Sequence, residues 1–435
     1  MQSLRAKGIP NRAVTGDPST LPVGIPLTVV EQLHNARRAG KHIDFRMGTP
    51  SIGMLSWALP KGLPEKPGVK RLAVTQPIHR FSYNDFEGVI GKGYGAGTVT
   101  QKDKGELVLL NKRPGMLQFT RSDKRNAPVY TMVKTPNSNW IIFIQNEDAP
   151  GEILHYDKEH FRSISPDAVN AIMGKGAIAT PKLDGAAALA YLTARGINVY
   201  GIRRDKDGNL IRYTDHIGGL RDITVPKELV GKVIRGEVIA EQDGKVLPPQ
   251  EIGGLLNSNL GKVLERRRQG TQLKLAALGL LEDGREIYDP DKVGKVIGQL
   301  KTPFITAPPV YHTTEEAAKA LEAMKAGKHP LTSEGLVLYP FDGRPMKAKL
   351  VEDQDVVVKD IFPSKAEGRA GGFTYSLDGT GREVGRVGSG FDFSTLKDML
   401  DNPDKYKGRI ARIRAQGQYP SGAYRAPRFL ALHEG

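Results

Sequence analysis

The stretch TPKLDG, residues 180–185, lies where one predicted strand ends and the next begins, and the organisation of the chain is best worked out from it. Its lysine, Lys182, stands beside an acidic residue and a glycine turn, where nearby charge and burial can make an amine nucleophilic. Glycine at the turn allows the backbone to approach a bound ligand closely. Taken alone, K-x-D-G also fits a solvent-exposed turn. The rest of the sequence decides between these interpretations.

An ordered series of charged residues follows this lysine along the chain. Arg203 lies in GIRRDKDG, Glu237 in VIRGEVIAE, Glu334 in SEGLVLYP, and Lys347 and Lys349 in MKAKL. Phosphoryl transfer needs such groups, because the transferred group carries negative charge spread over several oxygens. Considered singly, the two glutamates also fit surface carboxylates at strand ends. The ordered set is far more specific than any one member.

The series covers residues 160–350 and resembles the nucleotidyltransferase motifs of the superfamily of ATP-dependent DNA ligases and mRNA-capping enzymes. This resemblance implies that Lys182 takes AMP from ATP as a lysyl-AMP and passes it to a nicked DNA end. It also implies nucleotide and metal contacts for six other residues: Thr180 at the adenine, Arg203 and Glu237 at the ribose, Glu237 and Glu334 at a catalytic Mg²⁺, and Lys347 and Lys349 at the phosphates.

The sequence turns β-rich and glycine-rich after Val356. VGRVGSGF, residues 384–391, is similar to the V-G-x-V-G-x-G-F stretch of the ligase OB domain, and YRAPRF, residues 424–429, is similar to its closing strand. The resemblance implies an OB-fold barrel, which is suited to gripping nucleic-acid backbone. Three departures stand out: Ala187 occupies the position of a family arginine, Thr180 occupies that of the usual acidic residue at the adenine, and the final R-x-D-K motif is not found.

Short alternating strands broken by Gly and Pro predict an all-β, barrel-like unit over residues 26–150. Within it, residues 34–46 contain two histidines and an aspartate. His42 and Asp44 lie on one face if this segment is a strand, because side chains alternate with a period of two. His34, His42 and Asp44 therefore form a candidate site for a divalent metal.

The stretches SWALPKG, RLAV, HRFSYNDFEG and YGAGTV closely resemble the 3′-phosphoesterase domain of bacterial end-joining ligases. The resemblance implies that His34, His42 and Asp44 bind Mn²⁺, and the gap between the two histidines is two residues longer than the family usually shows. Three further residues are implied at the active site: Arg46, His79 and Tyr83. Two interpretations stay open, an Mn²⁺-dependent enzyme that trims 3′ ends or a barrel retained to clamp DNA.

Composition restricts the partners and cofactors. Lys and Arg number 63 against 48 Asp and Glu, a net charge of +15 that favours a nucleic-acid partner over a basic protein without one. Cysteine is absent, which excludes disulfides and cysteine-ligated zinc and favours ATP over NAD as the adenylate donor, because NAD-dependent ligases carry such a zinc site. The sequence contains neither an apolar run long enough to cross a bilayer nor a secretory signal, so we expect no membrane partner.

The sequence thus predicts a multidomain α+β protein in four parts: a basic arm over 1–25, a phosphoesterase-like β-barrel over 26–150, a central nucleotidyltransferase (ATP-grasp-like ligase) domain over 151–355, and an OB-fold barrel over 356–435. We expect an ATP-dependent ligase that seals nicks in double-stranded DNA, monomeric and located in the bacterial cytosol; a phage-encoded enzyme would fit the compact domain set. The alternatives are an RNA ligase, a capping-type nucleotidyltransferase, or a non-catalytic DNA-binding protein with a degenerate ligase core.

Overall fold

The computed structural model describes residues 15–93, 95–147, 149–282, 284–350, 352–377, 381–419 and 421–433. The chain forms two compact units. The first comprises Met1–Lys158 and Asp184–Pro308, and the second comprises Glu159–Leu183 and Pro309–Gly435. The predicted central domain is therefore divided between the two units, and most of the predicted basic arm, residues 1–14, lies outside the described residues.

The first unit begins with nine strands: β1 Pro26–Ala36, β2 Gly40–Thr49, β3 Gly53–Leu59, β4 Lys70–His79, β5 Gly88–Ile90, β6 Gly97–Arg113, β7 Met116–Arg121, β8 Val129–Lys134 and β9 Trp140–Ile144. Eight of them follow the order β1-β2-β3-β4-β9-β8-β7-β6, and β6 pairs with β1 to close the sheet. Closure leaves no free edge among these eight strands. The predicted N-terminal barrel is confirmed.

The barrel interior is packed with large apolar side chains. Trp57 and Trp140 meet edge to face with ring centroids 6.3 Å apart, and both are at most 4% exposed. Leu21, which precedes β1, is fully buried in the same core. The two tryptophans are the only ones in the sequence, so tryptophan fluorescence reports on the barrel alone.

The remaining elements, in chain order, are α1 Gly151–Leu154, β10 Arg162–Ile164, α2 Val169–Gly174, β11 Ala177–Pro181, β12 Ala186–Thr193, β13 Gly196–Arg204, β14 Leu210–Arg212, α3 Thr214–Ile217, β15 Val233–Gln242, β16 Lys245–Val246, α4 Pro249–Leu256, α5 Leu260–Arg268, β17 Gln272–Glu282, β18 Arg285–Ile287, α6 Pro290–Leu300, β19 Ile305–Thr306, α7 Thr314–Lys325, β20 Gly335–Pro340, β21 Met346–Lys349, β22 Glu352–Pro363, β23 Ala370–Ser376, β24 Gly385–Val387, α8 Phe393–Asp401, β25 Ile410–Ala415 and β26 Arg428–Leu432. The sequence predicted helices around residues 248–268 and over 315–328, where α4, α5 and α7 are found.

The first unit also contains a second, mostly antiparallel sheet in the order β14-β13-β12-β15-β17-β18, with β16 on β15 and β19 on β17. Helices α4 and α5 bury apolar side chains such as Ile252 and Val263 against it. Val108, on barrel strand β6, is 1% exposed and belongs to this same core. The barrel and the sheet are therefore joined by shared apolar packing.

A buried ionic network reinforces this junction. The side chain of Glu147 is 7% exposed and pairs with Arg212 at 3.0 Å and with Arg221, which also binds Asp215 at 2.7 Å. The Tyr200 hydroxyl donates to the Glu147 carbonyl at 2.6 Å. Buried charges need such partners, because an unpaired one would lose its hydration without compensation. Glu147 is the first residue of the EDAPGE stretch, whose composition is typical of a linker. Its ion pairs with Arg212 and Arg221 instead fix this stretch to the second sheet and the loop that follows it.

The second unit contains a four-stranded sheet in the order β10-β21-β20-β11, covered by α2 and α7 through side chains such as Met173 and Leu321. Helix α7 begins with a capping box in which Thr313 and Glu316 satisfy each other's backbone amides. A five-stranded sheet, β24-β23-β22-β25-β26, follows with α8 beside it. The OB-fold predicted for this segment stays a prediction. No helix in the described part of the chain is long and apolar enough to cross a bilayer.

Candidate active sites

Strand register in the second unit positions Lys182. Strand β11 pairs with β20 so that Thr180 faces Val337, and the Lys182 amide then donates to the Gly335 carbonyl at 2.8 Å. On its other edge β20 pairs with β21, where Gly335 faces Lys349. Lys182, Gly335 and Lys349 therefore form a row across three neighbouring strands, although their positions in the sequence are far apart.

The Lys182 ammonium binds a buried carboxylate. Its Nζ donates to Oε2 of Glu334, and the guanidinium of Arg425 donates to Oε1 of the same side chain. The Glu334 side chain is 4% exposed, whereas those of Lys182 and Arg425 are 20% and 17% exposed. One buried anion is thus shared between two cations, which offsets its loss of hydration. The Glu334 carbonyl also accepts from the Leu350 amide at 2.8 Å, which fixes the backbone beside the carboxylate.

Two further lysines extend the positive charge of this site. Lys347 and Lys349 flank Ala348, which is fully buried in the core of the unit, so the two lysines point to the opposite face of β21. Burial lowers the pKa of Lys349, and the nearby Lys182 cation lowers it further. Four cationic side chains in one region favour an anionic ligand, because each is more stable when additional negative charge is bound.

Arg425 was not among the site residues predicted from the sequence. It lies in the YRAPRF stretch, which the sequence identified only as a resemblance to a closing strand. Its partner Glu334 is 91 positions away, so no local pattern announces the contact. Thr180, predicted at the adenine position, is 2% exposed, and its hydroxyl has no hydrogen-bond partner among the described residues.

The predicted ribose-binding residues belong to the first unit. The Gly185 amide donates to Oε2 of Glu237 at 2.9 Å, and Ala187 lies opposite Glu237 in the pairing of β12 with β15. A Cβ at position 185 would lie 2.4 Å from the Val238 carbonyl oxygen, so only glycine fits this close approach. Arg203 is exposed near the end of β13. The structure thus places Glu237 directly against the glycine of the TPKLDG stretch.

The N-terminal candidate site is organised by the β1–β2 hairpin. His34 lies directly opposite His42, and Gln32 lies opposite Asp44. The ring centroids of the two histidines are 4.7 Å apart. The spacing of eight residues therefore brings both imidazoles to the same end of the hairpin.

Each histidine directs one ring nitrogen at the Asp44 carboxylate and the other at a backbone carbonyl. His34 Nδ1 lies 3.2 Å from Asp44 Oδ2 and its Nε2 lies 2.9 Å from the Gly95 oxygen. His42 Nε2 lies 3.3 Å from Asp44 Oδ1 and its Nδ1 lies 2.9 Å from the Gly40 oxygen. Carbonyls that orient the outer ring nitrogen are typical of metal-binding histidines. The three side chains are 9% exposed, and their ligand atoms lie within 4.8 Å of one another, so the donor set fits a divalent transition metal.

The other three predicted residues adjoin this group. Arg46 is 1% exposed, donates to Asp44 Oδ2 at 3.0 Å and lies with its Cζ 5.0 Å from the Tyr83 ring centroid. The rings of His79 and Tyr83 are 5.1 Å apart. Gln32, which the sequence did not single out, accepts from Arg46 through its side-chain oxygen. Gln32 and His34 are two positions apart on one strand, so side-chain alternation places them on the same face and could have indicated Gln32.

The environment shifts the ionisation of these groups. Burial would raise the pKa of Asp44, but the hydrogen bond from His42 and the charge of Arg46 outweigh it and lower that pKa. The hydrogen bond to Asp44 raises the pKa of His42. Burial, together with the Arg46 charge, lowers the pKa of His79 to about 4. His79 is therefore a neutral imidazole at physiological pH.

Comparisons with known proteins agree with the resemblance seen in the sequence. Residues 32–134 match the family model described as the DNA Ligase D 3′-phosphoesterase domain. The multifunctional non-homologous end joining DNA repair protein LigD of Mycobacterium tuberculosis H37Rv is 30% identical over 156 residues, 34% of this chain and 20% of the relative. LigD of Mycolicibacterium smegmatis is 26% identical over 436 residues, 89% of this chain and 52% of the relative.

A solved Lig E DNA ligase is 17% identical, covers 64% of this chain and all of its own, and superimposes with a TM-score of 0.46. The chain spans about a fifth to a half of the length of the curated relatives it matches. The recognised resemblance is therefore confirmed: residues 32–134 are similar to the phosphoesterase domain, and similarity to LigD extends over most of the chain.

The low pKa of His79 predicts acid sensitivity of the barrel. Below about pH 6.5 the unfolded imidazole binds a proton that the folded one rejects until about pH 4, so the free energy of unfolding falls as pH drops through this window. Between pH 7 and pH 5 the expected loss is about 2 kcal/mol. Urea unfolding followed by tryptophan fluorescence, with chelator present, measures it. His79→Gln should remove this part of the pH dependence; an equal acid loss in the variant would contradict the prediction.

Proposed function

We propose that the protein is an ATP-dependent DNA ligase in which Lys182 is the nucleophile. One observation carries the proposal: the Lys182 amine lies against the buried Glu334 carboxylate, in a region that also contains Lys347, Lys349 and Arg425. An amine held by a buried acceptor and surrounded by cations suits attack on a phosphate. Similarity to LigD over 89% of the chain supports the same function.

The reaction has three steps, each a displacement at phosphorus. The Lys182 Nζ forms a bond to the α-phosphorus of ATP, pyrophosphate leaves, and Glu334 is placed to take the proton from the amine. The 5′-phosphate at a nick then attacks the AMP phosphorus and breaks the bond to Lys182. Finally the 3′-hydroxyl attacks the 5′-phosphate, and AMP leaves. The surrounding lysines would stabilise the negative charge that develops at each phosphorus.

A divalent cation, expected to be Mg²⁺, would supply further neutralisation of the triphosphate. Among the residues of the second unit, the resemblance assigns it to the carboxylate of Glu334. The chemistry of this residue fits, because Mg²⁺ prefers carboxylate oxygens and bound phosphates. Glu334 now gives both oxygens to Lys182 and Arg425, so a cation there would replace one of these partners.

Other members of the wider superfamily remain the natural alternatives to a DNA ligase. A capping-type enzyme would be labelled by GTP, and an RNA ligase would prefer RNA nicks. A non-catalytic DNA-binding protein would form no covalent nucleotide adduct. The placement of Lys182 against Glu334 favours the catalytic alternatives over the non-catalytic one.

We propose, as a second function, that the barrel is a metal-dependent 3′-phosphoesterase that prepares ends for sealing. The supporting observation is that His34 and His42 are both oriented by backbone carbonyls toward the Asp44 carboxylate. These three residues would hold the metal, expected to be Mn²⁺, which polarises a bound phosphate. Arg46 would pair with the phosphate, and neutral His79 could exchange a proton with it.

For the ligase, incubation with α-labelled ATP and Mg²⁺ followed by denaturing electrophoresis should give a labelled chain. Lys182→Ala should lose the label completely, because no other amine occupies this position. Lys182→Arg keeps the positive charge beside Glu334 and should also be unlabelled. This variant distinguishes a role of Lys182 as nucleophile from a role as positive charge alone. Both variants should still seal a nick that is already adenylated, since that step does not need the lysine adduct. A labelled Lys182→Ala chain would refute the assignment.

For the phosphoesterase, the wild type with Mn²⁺ should release phosphate from a 3′-phosphorylated primer. His42→Ala removes one of the three proposed ligands and should lower this release roughly 100-fold, with a matching loss of metal affinity. The exposed His155→Ala is the matched control and should behave as the wild type. Absence of release by the wild type would favour the barrel as a DNA clamp.

A further inference from the structure

One histidine ring organises the loop between α7 and β20 in the second unit. The Nδ1 atom of His329 accepts hydrogen bonds from the backbone amides of Leu331 and Thr332, at 3.2 and 3.4 Å. The Thr332 hydroxyl in turn accepts from the Glu334 amide at 3.0 Å. The imidazole is therefore connected, through a short chain of hydrogen bonds, to the backbone of the carboxylate that binds Lys182.

The other nitrogen of the ring contacts a second segment of the same unit. His329 Nε2 lies 2.9 Å from the Tyr311 hydroxyl. Tyr311 forms an antiparallel bridge with Ala179 on β11, in which each amide donates to the carbonyl of the other residue, at 2.8 and 2.9 Å. Strand β11 ends just before Lys182. The ring thus joins the two segments that meet at the proposed ligase site, the one that leads to Lys182 and the one that leads to Glu334.

The protonation state of this ring follows from its partners. A backbone amide only donates, so Nδ1 must carry a lone pair, and the proton of the neutral ring lies on Nε2, where it is donated to Tyr311. A second proton could bind only at Nδ1 and would break both amide hydrogen bonds. Burial lowers the pKa of His329, which favours the neutral ring. Tyr311, whose own pKa is raised by burial, is the titratable side chain that faces the ring.

We propose that His329 is a positioning residue of the ligase site, whose neutral imidazole holds the loop that places the Glu334 carboxylate against Lys182. The inference rests on the proposed ligase function and adds to it a residue that acts only through the backbone of Glu334. Without this acceptor the amides of Leu331 and Thr332 lose their partner, and the loop gains other conformations. Glu334 then spends less time in the position in which it binds Lys182. Protonation of Nδ1 should have the same effect.

Two substitutions separate the acceptor from the imidazole. An asparagine side chain accepts hydrogen bonds from the backbone amide two positions further along the chain. His329→Asn therefore keeps an acceptor for the Leu331 amide but removes the group that titrates. His329→Leu removes the acceptor as well. His160→Asn is the matched control, because His160 is an exposed histidine of the same unit.

The test measures how fast the full-length protein forms lysyl-AMP from α-labelled ATP and Mg²⁺, in a single turnover at saturating ATP. In mildly alkaline buffer His329→Leu should be roughly 10-fold slower than the wild type, the effect expected from the loss of two backbone hydrogen bonds. His329→Asn should stay within about 3-fold of the wild type, because it restores one of the two. His160→Asn should match the wild type.

The pH profile is the readout that a merely structural role would not change. Lys182 and Glu334 are present in both the wild type and His329→Asn, so the ratio of the two rates isolates the titration of His329. This ratio should be constant in alkaline buffer and fall several-fold as the pH drops below about 6.5, the ordinary histidine pKa. The fall lies on the acid side of that value because burial lowers the pKa of the folded ring, and because a proton at Nδ1 releases the loop only in the wild type.

Three results would overturn the proposal: a wild-type rate in His329→Leu, an equal loss in His329→Asn and His329→Leu, or a wild-type to His329→Asn ratio that does not change with pH. If the wild type forms no adduct with ATP, the ligase proposal fails instead. Amide hydrogen exchange of residues 330–335 then decides whether the imidazole holds the loop. Faster exchange in His329→Leu than in the wild type and His329→Asn supports this role, and equal exchange in all three refutes it.

Discussion

The buried carboxylate of Glu334 is the interaction on which the proposed ligase site depends. A carboxylate that is 4% exposed is strongly destabilised unless cations surround it, and here Lys182 and Arg425 each bind one of its oxygens. The same requirement that stabilises the fold therefore holds the proposed nucleophile in place. Backbone hydrogen bonds from the Lys182 amide to the Gly335 carbonyl and from the Leu350 amide to the Glu334 carbonyl fix the strand ends on either side of this carboxylate.

The N-terminal barrel also contains a buried carboxylate, which different residues stabilise. Asp44 is buried among His34, His42 and Arg46, and two backbone carbonyls orient the imidazoles. Because the orienting groups belong to the backbone, the backbone itself sets the arrangement of these side chains. Shared packing around Val108 and the ionic anchor at Glu147 join this barrel to the neighbouring sheet. A loosely tethered accessory domain would not need such a buried junction.

The sequence predicts the features of the fold and of the candidate sites that follow from the spacing of nearby residues. The alternation that places His42 and Asp44 on one strand face and the short alternating strands that make up the N-terminal barrel are local patterns. It did not reach the contacts of Arg425 with Glu334 and of Gln32 with Arg46, because Arg425 and Gln32 alone look like ordinary polar residues. Glu147 lies in a stretch whose composition indicates a linker, and only tertiary packing turns it into an anchor.

Both proposed activities are tested together by the sealing of one nicked duplex in which the 3′ side of the nick carries a phosphate. Wild-type protein with ATP, Mg²⁺ and Mn²⁺ is expected to convert it to a continuous strand after removing the phosphate, and to seal the matching 3′-hydroxyl nick without a delay. Failure to seal either substrate, with the chain shown to be folded and not already adenylated, would contradict the proposed ligase activity. Sealing of the 3′-hydroxyl nick alone would keep the ligase and remove the phosphoesterase.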